Sequence, residues 1–439
     1  MIVFLVKAAQ LILALSILVF IHELGHYLFA RLFRVRVDKF YLFFDWGGAI
    51  LRYKPKRSDT EFGIGWLPLG GYCKINGMID ESFDTEHLQR EPQPYEFRSR
   101  PAWQRLLIML GGVLFNFLLA LVIYAGIVFH WGNSQLPSDR ITSGMAFSSV
   151  AQEAGFRDND IILTVDGRAA DAFAPGFMRS VIQAREVEVM REGRRETLHI
   201  PHDMMKRVLK AKSGFMSIQY PFVIDSLAPE GMARAHNLLA SDSITAVNGK
   251  LMPDLRDVIA SIRSHAGDSI TLSLMRAGVP LTITLPVDTA GTIGITARPI
   301  DAVYAVQHIE YSLLEAIPAG IAQGVGTMRS YVSDMKYVFT KEGAQQMGGF
   351  GTLGSLFPSS WNWALFWSMT AFLSIMLAVM NILPIPALDG GHILFLLFEI
   401  ITRRKLSQEV LIRAQMIGLA ILFLLMLYAN GNDLFRAFR

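Results

Sequence analysis

The chain has 439 residues and is 52% hydrophobic but only 18% charged, against about 25% charged in soluble domains; its mean hydropathy is +0.34. That balance excludes a disordered chain, 36 glycines without a three-residue period exclude a collagen, and the apolar surplus belongs in membrane spans. The single cysteine, Cys73, excludes an intrachain disulfide framework and a multi-cysteine zinc site, and a formal charge of +3 is too small to argue for nucleic acid.

The first apolar run, about 3–30, contains LILALSILVFI and continues into HELGHYLFARLFR. With no small-x-small cleavage site after the apolar stretch, it reads as a span rather than a removed signal. On a helix His22 and His26 lie one turn apart on one face, so both imidazoles can reach one metal ion. Glu23 lies on the neighbouring azimuth, close enough to take a proton from water at that ion, which is the H-E-x-x-H zinc-protease pattern. A charged group inside an apolar helix costs about 2.5–3.5 kcal/mol on insertion scales, and metal coordination offsets such a cost. The bland alternative is a His/Glu cluster at a helix end, solvated by headgroups.

The segment from Arg31 to Arg105 is rich in Lys and Arg. The second run, about 106–130, carries Gly111, Gly112 and Asn116, which read as close packing and hydrogen bonding against the other helices. Residues 133–300 are less apolar and hold two similar stretches, AFSSVAQEAGFRDNDIILTVDG ending at Gly167 and VIDSLAPEGMARAHNLLASDSITAVNG ending at Gly249. Each runs through a small helix, an Asp and an alternating strand to a tight Asp-Gly or Asn-Gly turn, and a further hairpin follows in each copy. Residues 305–340 read as an amphipathic helix and 348–357 as a glycine-rich flexible or re-entrant link.

The third run, about 363–400, is interrupted by Asn381-Ile-Leu-Pro384-Ile-Pro386-Ala-Leu-Asp389-Gly390-Gly391. The prolines remove backbone donors and break the helix, and irregular backbone at membrane depth belongs beside protein or a water-filled cavity. Asp389 is the best candidate for a third metal ligand; taken alone it also reads as an ion-pathway carboxylate or a helix cap. A fourth run covers about 411–429, after a link holding Arg403, Arg404 and Lys405. The two basic segments are separated by two spans and so face the same side, the cytoplasm, with 131–300 outside. His22 and His26 then lie about 7–13 Å before Arg31 at helical rise, in the cytoplasmic half of the bilayer, where Asp389 can meet them.

HELGH in the first span, NxxPxPxLDGG in the third and the repeats between spans two and three resemble the site-2 intramembrane zinc metalloproteases, in the order of the bacterial regulator-of-sigma-E protease group. The repeats resemble PDZ domains in the permuted strand order of bacterial membrane-linked proteases, although Ser148-Ser149-Val150-Ala151 lacks the usual proline. The fold class implied is an α-helical membrane protein with four transmembrane helices, a membrane-associated β-hairpin or sheet after the first span, and two β-rich PDZ-like domains inserted between spans two and three. The division is 1–132 and 301–439 for the membrane parts, with 133–215 and 216–300 for the PDZ-like domains. The resemblance implies Zn2+ held by His22, His26 and Asp389, Glu23 as catalytic base, and Asn381 on the substrate backbone. Gly70 and Gly71, in a segment similar to the family's PLGGYVK, would belong to a sheet edge that pairs with an unwound substrate. It also implies regulated intramembrane proteolysis in a bacterial inner membrane, acting on single-pass proteins of anti-sigma-factor type after a first extracytoplasmic cut, or on remnant signal peptides. Other expected partners are membrane lipids and a peptide or C-terminus at the PDZ-like domains, which otherwise only space the chain or block access. The rival reading is a non-catalytic membrane PDZ scaffold.

Overall fold

The computed structural model describes residues 2–78, 91–211, 214–338 and 340–438. It divides into two compact units, Met1–Gly132 with Glu310–Arg439, and Asn133–Ile309.

The first unit is built on six longer helices: α1 (Ile2–Leu32), α2 (Ala102–Trp131), α3 (Leu313–Val338), α4 (Trp363–Ile382), α5 (Asp389–Thr402) and α6 (Gln408–Ala437). Among the described residues α1, α2, α4 and α6 are long and apolar enough to cross a membrane. Each is an apolar run without an internal proline, so nothing interrupts its hydrogen-bond ladder. The third apolar run is split between α4 and α5, with Pro384 and Pro386 in the intervening 383–388. Most of α6 presents its apolar side chains outward, as lipid contact requires.

Helix α3 starts later than its amphipathic pattern suggests. Glu315 Oε2 accepts from both the backbone N–H (3.0 Å) and the hydroxyl (2.7 Å) of Ser312, and this capping starts the helix at Leu313. The glycine-rich 348–357 contains a short helix, Phe350–Ser355, tied to α6: Asp433 accepts from the N–H groups of Gly349 and Thr352, each at 2.9 Å.

After α1 the chain forms a β-ribbon of β1 (Val37–Tyr53) and β2 (Glu61–Ile75). The ribbon folds on itself, so Tyr41 pairs with both Gly63 and Tyr72, and Leu42 with both Ile64 and Gly71. Residues 61–64 thus lie between 51–53 and 39–42, and 71–74 lie on the far side of 39–42. Trp46 and Trp66 are exposed near its tip, the Trp66 indole donating to the Trp46 carbonyl at 2.6 Å. An apolar cluster of Ala30, Val35, Ile75, Ile108, Met109, Ile393 and Leu396 joins α1, the ribbon, α2 and α5.

The second unit holds two apolar cores. One underlies a four-stranded sheet in the order 168–169, 161–165, 186–191, 194–199. The other underlies a sheet whose path runs 279–286, 269–276, 243–247, 222–227, 295–297. The strand Met216–Ile218 pairs with Met145–Phe147. The two similar stretches repeat one ion pair: Asp160 with Arg191 and Asp242 with Arg276, both at 2.7 Å. Each arginine also donates to a carbonyl of the preceding loop, Gly155 or Asn237.

Candidate metal centre

Helix α1 carries His22 and His26 on one buried face, with their Nε2 atoms 3.3 Å apart. Close approach of α1 and α2 requires glycine on both sides. A Cβ at Gly25 would lie 2.2 Å from the Gly111 carbonyl oxygen, and one at Gly111 would lie 2.6 Å from that of Gly25. Next to this contact Gly112 leaves room for the rings: a Cβ there would stand 2.5 Å from His26 Nε2 and 2.7 Å from His22 Nδ1. The His26 Nδ1–H donates to the Ile108 carbonyl at 2.9 Å, which directs the Nε2 lone pair the other way. The Asn116 side-chain amide lies 3.2 Å from His22 Nδ1.

Asp389 is the first residue of α5. The preceding 383–388 turns back on the start of the helix, with Ala387 at φ +77°. A Cβ at Gly390 would lie 2.0 Å from the Leu383 carbonyl, so the two glycines after Asp389 admit this loop. The Asp389 carboxylate thereby reaches α1, its Oδ2 lying 3.2 Å from His22 Nε2 and 3.4 Å from His26 Nε2. Ten residues along α5, Glu399 pairs with Arg105 of α2 at 2.5 Å, fixing the helix that presents Asp389.

Among the described residues these three form a group of possible metal ligands. Their facing atoms make a triangle with sides of 3.2, 3.3 and 3.4 Å. Three corners of a tetrahedron with ligand bonds of about 2.0–2.1 Å are separated by about 3.3–3.4 Å, so the triangle has the size zinc needs. The Asp389 Oδ2 is buried without a hydrogen-bond donor among the described residues. Such an atom facing two imidazole nitrogens is what a cation relieves. A donor set of two imidazoles and one carboxylate, three protein ligands rather than four, is that of a catalytic rather than a structural zinc site.

Glu23 lies on the adjoining face of α1, its carboxylate near the Cys73 backbone N–H on β2. Asn381, in the last turn of α4, places Nδ2 3.4 Å from His22 Nε2. The two glycines of β2 stand further out. A Cβ at Gly71 would meet Val19 Cγ1 at 2.7 Å, one turn before Glu23, and one at Gly70 would meet the Phe44 ring at 2.8 Å. The sequence marks Gly111, Gly112 and Asn116 of α2 as packing and hydrogen-bonding residues, and the structure adds which rings that face meets. Ile108, Gly112 and Asn116 are spaced by four and face the two imidazoles at successive turns.

A zinc-dependent membrane endopeptidase is the class that this fold and this donor set define. The family model described as Peptidase family M50 matches residues 10–425, and the chain belongs to that family. It is similar to a Ralstonia nicotianae protein whose name includes the words zinc metalloprotease, 28% identical over 461 residues, covering 97% of this chain and 98% of that one. It is also similar to the Regulator of sigma-E protease RseP of Escherichia coli K12, 27% identical over 470 residues, covering 99% and 100%. Metalloprotease MmpA of Caulobacter vibrioides is 27% identical over 462 residues, covering 99% and 97%. The chain is thus a multi-pass membrane protein and a site-2-type metalloendopeptidase whose cofactor is zinc.

Proposed function

We propose that the protein hydrolyses a peptide bond within or beside the membrane, with zinc held by His22, His26 and Asp389 and with Glu23 as the base. The observation that carries this reading is the triangle of two imidazole nitrogens and one carboxylate oxygen, drawn from opposite ends of the chain. Zinc, when bound, supplies Lewis acidity that polarises a carbonyl and makes water a nucleophile near neutral pH. Glu23 takes the proton of the attacking water and passes it to the leaving amine. Its carboxylate stands near the Cys73 N–H of β2, beside which a peptide would lie. A substrate helix must unwind before its carbonyls can be attacked. Asn381 on one side and the 70–74 stretch of β2 on the other are suited to hold the unwound segment by main-chain hydrogen bonds.

The substrates proposed are single-pass membrane proteins of anti-sigma-factor type already cut outside the membrane, or remnant signal peptides. The name of the Escherichia coli relative supports the first. We place the protein in a bacterial inner membrane, its basic segments in the cytoplasm and 133–300 in the periplasm. Residues 133–215 and 216–300 are then two PDZ-like domains, with Met216–Ile218 lent to the first. They exclude untrimmed substrates by bulk or bind newly made C-termini.

The test is metal analysis of purified protein together with cleavage of a reconstituted single-span substrate, with and without a chelator. Glu23→Gln is expected to retain zinc and lose at least about 100-fold in cleavage; undiminished cleavage rejects Glu23 as the base. Asp389→Asn is expected to bind zinc more weakly; unchanged occupancy removes Asp389 from the ligands.

A further inference from the structure

Asn116 lies midway along α2 and is fully buried. Its amide nitrogen faces His22 Nδ1 at 3.2 Å, and its carbonyl Oδ1 has no hydrogen-bond partner among the described residues. On the other side of the same ring the amide nitrogen of Asn381 faces His22 Nε2 at 3.4 Å. A neutral imidazole has one N–H and one lone pair, so two amide N–H groups cannot both donate to it. One of the two asparagines must present its oxygen. An amide turned by 180° keeps its shape while exchanging nitrogen and oxygen. Which one turns is decided by Nε2, which points at Asp389 Oδ2 and His26 Nε2 and needs its lone pair to bind a metal. The ring proton therefore sits on Nδ1, and Asn116 is the residue that must accept it.

We infer that Asn116 is a positioning residue for the metal centre: its carbonyl oxygen accepts from His22 Nδ1–H, fixing the tautomer and ring plane in which Nε2 is the ligand. The inference rests on the reading of His22 as a zinc ligand. His26 is treated in the same way, its Nδ1 directed by the Ile108 carbonyl two turns earlier on α2. One face of α2 thus orients both rings, through a backbone carbonyl at one turn and a side-chain carbonyl at another. Asn116 is itself held, since its backbone carbonyl accepts from the Ser374 hydroxyl of α4 at 2.7 Å.

The experiment measures zinc affinity of the full-length protein in detergent by competition with a chromophoric chelator. It compares wild type, His22→Ala, Asn116→Leu and Asn116→Asp, with the melting temperature of each zinc-free form as a check on folding. Asn116→Leu should weaken zinc binding about 10- to 100-fold, whereas Asn116→Asp, whose carboxylate only accepts, should stay within about threefold of wild type. Nitrogen-15 spectra of histidine-labelled, zinc-loaded wild type should show His22 with its proton on Nδ1. The inference is overturned by wild-type affinity in Asn116→Leu, by an Asn116→Asp variant as weak as the leucine one, or by a proton on His22 Nε2. If Asn116→Leu does not fold, the aspartate variant and the wild-type spectrum still decide. Unchanged affinity in His22→Ala refutes the ligand reading itself. Zinc binding that depends on His22 but not on position 116 refutes only the role given to Asn116.

Discussion

Replacing Gly112 by alanine tests whether the metal centre depends on the space that α2 leaves for the two rings. The added Cβ would stand 2.5 Å from His26 Nε2, 2.6 Å from His22 Cε1 and 2.7 Å from His22 Nδ1. Ordinary contact begins near 3.5 Å, so each ring or the helix must retreat by about 1 Å. Metal–ligand distances tolerate only about 0.2 Å, so a shift of this size removes the match between the ligand triangle and zinc. A misplacement of about 1 Å at a reacting centre costs on the order of 100-fold in rate, and overpacking of this kind costs about 1–3 kcal/mol in stability. Gly126 on the same helix is the control, because a Cβ there meets nothing within 4 Å. Gly126→Ala should be neutral or stabilising by up to about 1 kcal/mol, since alanine is the better helix former. The assay is zinc content and cleavage of a reconstituted single-span substrate, with unfolding followed in parallel. Wild-type zinc and cleavage in Gly112→Ala would refute the assignment of that space to the imidazoles.

Two further outcomes follow from buried charges. Arg105→Met leaves Glu399 without its guanidinium partner and should cost about 3–5 kcal/mol in unfolding experiments, with part of the loss recovered in Arg105→Met/Glu399→Leu; equal stability of the single and double variants would contradict this. In the unit Asn133–Ile309 the Arg276 guanidinium holds the Asp242 carboxyl below the usual carboxylate range. A carboxyl lowered in the folded state stabilises at pH values above its unfolded value, about 3.9, and loses that contribution as pH falls through the folded value. Asp242→Asn should therefore cost about 1–3 kcal/mol at pH 7, and the gap from wild type should close in acid below about pH 4. Hydrogen exchange of the Ser243–Val247 amides measures it, and a gap independent of pH would show that the ion pair is not its source.

Much of the membrane unit can be read from residue order, because its rules are local. Hydropathy alone marks α1, α2, α4 and α6, since lipid leaves an apolar helix as the only open solution for such runs. The helical period alone puts His22 and His26 on one face, and Pro384 and Pro386 alone predict the break that ends at Asp389. Amphipathic spacing does not mark a cap, so the pattern runs ahead of α3, and it is the Ser312–Glu315 exchange that begins the helix. The link at 348–357 carries too much glycine to read as a helix, and Asp433, about 80 residues away, supplies the acceptor that organises it.

The alternation of residues in β1 and β2 predicts strands but not that one segment is paired twice, a matter of how the ribbon bends. Likewise, the aspartates at 160 and 242 are visible as parts of a repeat, while their arginine partners lie 31 and 34 residues further on, where only sheet pairing brings them back. The metal centre divides in the same way. Its candidate ligands are legible because their chemistry is rare in an apolar helix and their spacing follows one helix. The setting of each ring is not, because it depends on the angle and closeness at which α2 crosses α1. Those are fixed by Gly25 against Gly111 and by the small volume of Gly112, contacts between helices that no periodicity within either helix encodes.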